Sequence, residues 1–210
     1  MCDSDTGRDV LVKDTDPRDG LVGRLLFRPD GRAITVAGAD AVQTWEVEGG
    51  KRLARWTYAE VNLWSDGPVV APQPAGGGMW VNAVGQRLVR SAAYSPDGKQ
   101  LALGLTVASP GYATLRDATT GAATRQFPGA RESVHATAFS PDGRLLATVG
   151  YSGPVHVWDT ATGDEFRQFT GHGGTILALA FSPDGRRLAT GGHDTYTLLW
   201  DVPVPPPPAP

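Results

Sequence analysis

The sequence predicts an all-β chain made of about five repeats of a four-stranded antiparallel sheet, and two independent ladders of residues carry that prediction. The first ladder is Phe27-Arg28-Pro29-Asp30-Gly31, Tyr94-Ser95-Pro96-Asp97-Gly98, Phe139-Ser140-Pro141-Asp142-Gly143 and Phe181-Ser182-Pro183-Asp184-Gly185, four copies of aromatic-x-Pro-Asp-Gly. The second is Trp45, Trp80, Trp158 and Trp200, with Arg116 standing at the remaining step. The last aspartates are 45 and 42 residues apart and the last tryptophan-ladder steps are 42 and 42, so the two markers share a period. The 67 residues from Asp30 to Asp97 are too many for one unit, and Trp64-Ser65-Asp66-Gly67 inside that gap implies a degenerate fifth copy.

Each unit can be read strand by strand. Proline at the first central turn position sets φ, aspartate bonds back to nearby backbone and glycine accepts positive φ, so Ser-Pro-Asp-Gly is a tight turn. Before the last such turn, Ile176 to Phe181 is an unbroken apolar run of strand length, which predicts burial on both faces. After it come a second strand, Arg187 to Gly191, the loop Gly192-His193-Asp194 and a third strand, Thr197 to Trp200. The equivalent stretch after Trp158 turns at Asp159 to Gly163 and continues as an outer strand, Glu165 to Phe169. A lone sheet of this kind cannot bury its apolar faces, so neighbouring sheets must pack around an axis as the blades of a propeller. The four tryptophans share one repeat position and are therefore assigned to packing between blades.

The stretch from Phe139 to His172 resembles a complete WD repeat, with Trp158-Asp159 as the naming dipeptide and Gly171-His172 opening the next unit. The resemblance extends over nearly the whole chain and is weakest between Thr57 and Arg90, where the dipeptide becomes Trp80-Val81. It implies blades over 20–56, 57–90, 91–129, 130–170 and 171–202. It also implies a structural tetrad of His, Ser or Thr, Asp and Trp that stiffens a blade, for which only the last unit has a near-full set: His172, Thr190, Asp194 and Trp200. Elsewhere the set is eroded, with Ser152 at the loop-Asp position, Arg131 near the His position and Arg116 replacing Trp, so those blades are expected to be less rigid. The segment Arg8 to Lys13 is the expected outer strand of the last blade, closing the ring and removing an exposed sheet edge. The alternative is an incomplete propeller, cut from a longer chain or completed by another one. The proline-rich 203–210 predicts an extended tail.

Composition narrows the function classes. Lys and Arg total 19 against 22 Asp and Glu, a net charge of −3, so no broad positive field favours nucleic acid or an anionic membrane surface as partner. Cys2 is the single cysteine, which leaves stability to burial and sheet pairing. The acidic opening residues do not read as a secretory signal, and the expected compartment is the cytoplasm.

Three suggestive motifs carry no chemistry on this reading. Gly163-Asp164-Glu165-Phe166 matches the core of a cyclic-dinucleotide synthase signature but straddles a turn into a strand, with no matching α/β domain around it. Gly76-Gly77-Gly78 lacks the Lys-Ser/Thr of a phosphate loop. His172, His193 and Asp194 could be imagined as zinc ligands, yet the tetrad already employs two of them. No catalytic residue, cofactor or metal is expected.

The function expected is that of a non-catalytic scaffold that binds a protein or peptide on one propeller face, where loops concentrate binding residues on a rigid frame. By position that face holds Arg131, Glu132, Tyr151, Ser152 and His193, with Tyr151 and Arg131 as preferred anchors. Self-association is expected if the ring is incomplete. The resemblance is to bacterial propellers rich in Ser-Pro-Asp-Gly, which occur as appendages of serine/threonine kinases, and so implies a regulatory segment of a multidomain signalling protein as an alternative. An exported propeller with a hydrolase or sugar-binding role is the third reading.

Overall fold

The computed structural model describes residues 22–38, 41–57, 88–106, 112–128, 134–151 and 153–204; these hold strands and turns with no helix. The first sheet contains β1 (Val22–Phe27), β2 (Ala33–Gly38), β3 (Ala41–Glu46) and β4 (Arg52–Thr57). The second contains β5 (Leu88–Tyr94), β6 (Gln100–Thr106), β7 (Tyr112–Asp117) and β8 (Ala123–Pro128). The third contains β9 (Val134–Phe139), β10 (Leu145–Gly150), β11 (Val155–Asp159) and β12 (Glu165–Phe169). The fourth contains β13 (Ile176–Phe181), β14 (Arg187–Gly192) and β15 (Thr197–Asp201). Each is an antiparallel meander with its strands paired in chain order.

The Ser-Pro-Asp-Gly turns join the first two strands of the second, third and fourth sheets, and their hydrogen bonds explain the motif. Ser95 Oγ donates to Asp97 Oδ1 at 2.6 Å and accepts from the Gln100 N–H at 2.9 Å, while Asp97 Oδ1 also accepts from the Lys99 N–H at 3.0 Å. The same bonds recur at Ser140 with Asp142 and at Ser182 with Asp184. In the first sheet Arg28 replaces the serine, and its guanidinium reaches Asp30 Oδ2 through Nε at 2.9 Å and Nη2 at 2.7 Å.

Consecutive sheets pack face to face through their first strands, β1 against β5, β5 against β9 and β9 against β13. Alternation along the second strand sends neighbouring side chains to opposite faces. Leu101, Leu103 and Leu105 of β6 meet Ala37, Val42 and Trp56 of the first sheet, whereas Ala102 joins Leu115 and Phe127 against Leu146 and Trp158 of the third. Ala147, Val149 and Val157 then meet Ile176 and Leu188 of the fourth. Every sheet thus has a leading face toward its predecessor and a trailing face toward its successor.

The turns stack as well. A Cβ at Gly98 would lie 3.6 Å from Pro29 Cδ, one at Gly143 3.4 Å from Pro96 Cδ, and one at Gly185 3.5 Å from Pro141 Cδ. The glycine of each turn therefore seats against the proline of the turn before.

The described sheets form an open propeller. The expectation that Ile176 to Phe181 is buried on both faces is corrected: Ile176 is buried, but Leu177, Ala178 and Ala180 are exposed. The reason is position, since no described sheet covers the trailing face of the fourth. The fifth unit expected over 57–90, with Trp80, falls mostly on residues 58–87 outside the described set. The first and second sheets are packed directly on one another, with Tyr94 Oη 2.5 Å from Thr35 Oγ1. The closing strand expected over 8–13 also lies outside the described residues, as do residues 205–210 of the proline-rich tail.

Candidate protein-interaction face

The structure brings His172, Thr190, Asp194 and Trp200 together. Thr190 is buried on β14, Trp200 lies on β15, His172 comes from the β12–β13 connection and Asp194 from the β14–β15 turn. His172 Nδ1 is 2.7 Å from Asp194 Oδ2 and its Nε2 is 2.8 Å from Thr190 Oγ1, which accepts from Trp200 Nε1 at 2.8 Å. One proton arrangement satisfies the whole chain with a neutral imidazole: Nδ1–H donates to the carboxylate, the threonine hydroxyl donates to Nε2, and the indole donates to the threonine oxygen. Both nitrogens of His172 are then used, so neither is left for a metal.

Asp194 also clips two loops together. Its Oδ2 accepts from the Gly173 N–H at 2.9 Å and its Oδ1 from the Tyr196 N–H at 3.2 Å. Burial works against the charged carboxylate, but the bonds from His172, Gly173 and Tyr196 outweigh it and hold Asp194 below the usual aspartate range. Next to it, His193 N–H donates to Thr175 O at 2.9 Å, and Thr195 has a left-handed φ of 65°.

The other sheets keep parts of this network. Trp158 Nε1 donates to buried Thr148 Oγ1 at 2.9 Å in the third. Arg131 and Ser152, expected at its His and Asp positions, lie outside the described residues. In the second sheet Arg116 stands where the ladder has Trp and is buried, with Nη1 donating to Gly121 O at 2.7 Å. Its guanidinium lies 5.7 Å from the ring centroid of Trp56 on the preceding sheet, a cation–π contact in place of indole packing.

Antiparallel pairing puts the ends of β10 and β14 beside the starts of β9 and β13, so the loops following β10 and β14 emerge at one end of the molecule. Tyr151 is 59 % exposed there, Tyr196 66 % and Leu177 48 %, and His193 is exposed. The half-buried His135 ring meets Tyr151 edge-on, with centroids 6.2 Å apart. Of the residues expected at this face, Tyr151 and His193 are found at this end, while Arg131, Glu132 and Ser152 are outside the described residues. Tyr196 and Leu177 escaped the sequence reading. Tyr196 shares the β14–β15 connection with His193 but adjoins the third strand, and Leu177 sits inside an apolar run that reads as core. The signal that could have found Tyr196 is its place two residues after Asp194, whose carboxylate accepts from the Tyr196 N–H.

The WD domain, G-beta repeat, matches residues 121–159 and 163–201. Each match spans the outer strand of one sheet and three strands of the next, β8 to β11 and then β12 to β15. A sequence repeat therefore bridges two sheets and ties neighbours covalently through their strands. No curated protein matches the chain. Two adjacent matched repeats, on stacked antiparallel meanders of three or four strands, support a WD-repeat family for this chain, and WD repeats indicate a protein-interaction propeller scaffold.

Proposed function

We propose that the chain is a non-catalytic scaffold that binds a protein or peptide at the end of the propeller carrying Tyr151, Leu177, His193 and Tyr196. The observation that carries this reading is the pair of exposed tyrosines, each on the loop that follows the second strand of its sheet. Tyrosine gives large contact area at low entropic cost and keeps a hydroxyl for orientation, which suits a surface that recognises polypeptide. The tetrad supports it by fixing the loop: Asp194 holds the amide of Tyr196 and the amide of Gly173 at once.

The test is selection of peptides from a random display library on the whole chain, followed by affinity measurement on Tyr151→Ala and Tyr196→Ala. Selected peptides should lose at least about tenfold in affinity on each variant, the scale of a hot-spot truncation. Peptides that bind both variants as tightly as the parent would remove the site assignment. The open faces at the two ends of the stack favour a second reading, in which the chain works as part of a larger ring.

A further inference from the structure

The two end faces of the stack are complementary to each other in kind, and no described sheet covers either of them. On the leading side, the inner pair of second-strand residues is buried in three sheets: Leu101 with Leu103, Leu146 with Thr148, and Leu188 with Thr190. Their counterparts in the first sheet, Ile34 and Val36, are half-buried, and Phe27 on the same face is 50 % exposed. On the trailing side, Thr44, Leu115 and Val157 occupy one position of the third strand and are buried, while the fourth sheet's Leu199 there is 65 % exposed.

The turn ladder points to what belongs on these faces. Gly98, Gly143 and Gly185 each seat against a preceding proline, whereas a Cβ at Gly31 would meet nothing within 4 Å among the described residues. Pro183, at the other end, has no following described turn. The first turn is an empty socket of the type that Pro29, Pro96 and Pro141 fill, and Pro183 is a plug of the same type. Residues 1–21 and 58–87 contain no aromatic-x-Pro-Asp-Gly to serve as either.

We propose that two copies of this chain join head to tail, the first sheet of each seating its leading face on the trailing face of the fourth sheet of the other. Gly31 of one copy then receives Pro183 of its partner, and Phe27, Ile34 and Val36 cover Leu199 and the exposed alanines Ala178 and Ala180. The occupant is a second copy because it carries a turn of the right register, and the new interface continues the three sheet-to-sheet interfaces within the chain. The four described sheets from each copy give eight, which is within the four to eight blades that close a propeller. A heterologous contact that closes after two subunits forms twice per dimer, so neither end face stays open. This assembly is independent of the tyrosine-bearing face and stands or falls separately from peptide binding.

The experiment is sedimentation and light scattering of the whole chain from about 1 to 100 μM, the range in which modest protein interfaces populate. A particle of twice 22.1 kDa is expected. Leu199→Glu and Phe27→Lys alter exposed side chains, so circular dichroism should show each variant folded, and each alone should sediment as a single chain. Mixing the two restores the dimer, because one interface is wholly wild type and the other sets Glu against Lys. A wild-type chain that stays at 22.1 kDa throughout overturns the proposal, as does an open series of larger oligomers. So does a dimer that either variant leaves intact, as a face-to-face contact through one end would, or one that mixing fails to restore.

Discussion

The third and fourth sheets are written from nearly the same template and end up in different surroundings. Phe139-Ser140-Pro141-Asp142-Gly143-Arg144 leads into β10 and Phe181-Ser182-Pro183-Asp184-Gly185-Arg186 into β14, with a Thr-bound indole in each sheet. Every residue of β10 is buried, yet β14 alternates and its neighbour β13 is largely open, although β13 is the more apolar of the two first strands. Burial here belongs to a sheet's place in the stack and not to the repeat's own sequence. An apolar strand therefore records the need for a neighbour, and the fourth sheet shows that need unmet within the described residues.

The comparison is sharpest at Leu146 and Leu199. Leu146 is buried between the second and third sheets, so Leu146→Ala should lower stability by about 3 kcal/mol, the transfer loss plus an unfilled cavity. Leu199→Ala, on the open face, should change it by less than about 0.5 kcal/mol in chains kept dilute enough to remain single. Urea unfolding of both variants measures this directly. Similar losses at the two positions would mean that the open face is covered in solution even at low concentration.

The tetrad gives the next effect. Thr190→Val removes the acceptor of Trp200 and the partner of His172, leaving two polar groups short, and should cost about 2 kcal/mol. Thr148→Val in the third sheet removes the partner of Trp158 and should cost about 1 kcal/mol. Equal costs would show that the extra members of the network add nothing to the last sheet. Thermal unfolding with hydrogen exchange at the β14 amides separates these outcomes.

Acid should loosen the turns in a third, smaller effect. Hydrogen bonds from Ser95 and the Lys99 amide hold Asp97 below its ordinary range, and those from Ser182 and the Arg186 amide do the same to Asp184. A carboxylate depressed on folding stabilises the fold above its unfolded value of about 3.9 and loses that contribution as pH falls through the folded value. The melting temperature should thus stay level from neutral pH to about 5 and fall below about 4. Asp97→Asn, which keeps an acceptor without titrating, should make the acid limb shallower. An unchanged limb would show that the charge on Asp97 is not what the turn uses.

The repeat architecture was legible because its turns depend on local chemistry: Ser95, Asp97 and Gly98 interact within six residues, and the same bonds recur wherever the letters recur. The tetrad residues of the last sheet were legible for a related reason, since the repeat fixes their spacing. Long-range facts were not. The exposure of Leu177 and Leu199 depends on there being no described sheet beyond the fourth, which no local window of sequence announces. The contact of Arg116 with Trp56 joins residues on different sheets, and nothing near Arg116 announces it. Tyr196 became visible once the bond from its amide to Asp194 placed it at the same end as Tyr151.

The smallest effect is at the residue between those two. Thr195 is β-branched and holds a φ of 65°, a conformation that crowds its side chain against the backbone. The turn enforces it through the Thr195 N–H bond to Gly192 O at 3.2 Å and the bonds of Asp194 on one side and to Tyr196 on the other. Glycine would adopt this φ without strain but would also loosen the unfolded chain, and the two effects largely cancel. Thr195→Gly should therefore gain less than about 1 kcal/mol. Its informative readout is binding: if the strain holds Tyr196 in place, a peptide selected on the wild-type chain should bind this variant more weakly although the protein is no less stable. Unchanged affinity would leave Asp194 as sufficient to position the tyrosine, and would make the strain a cost of the turn with no part in presenting the face.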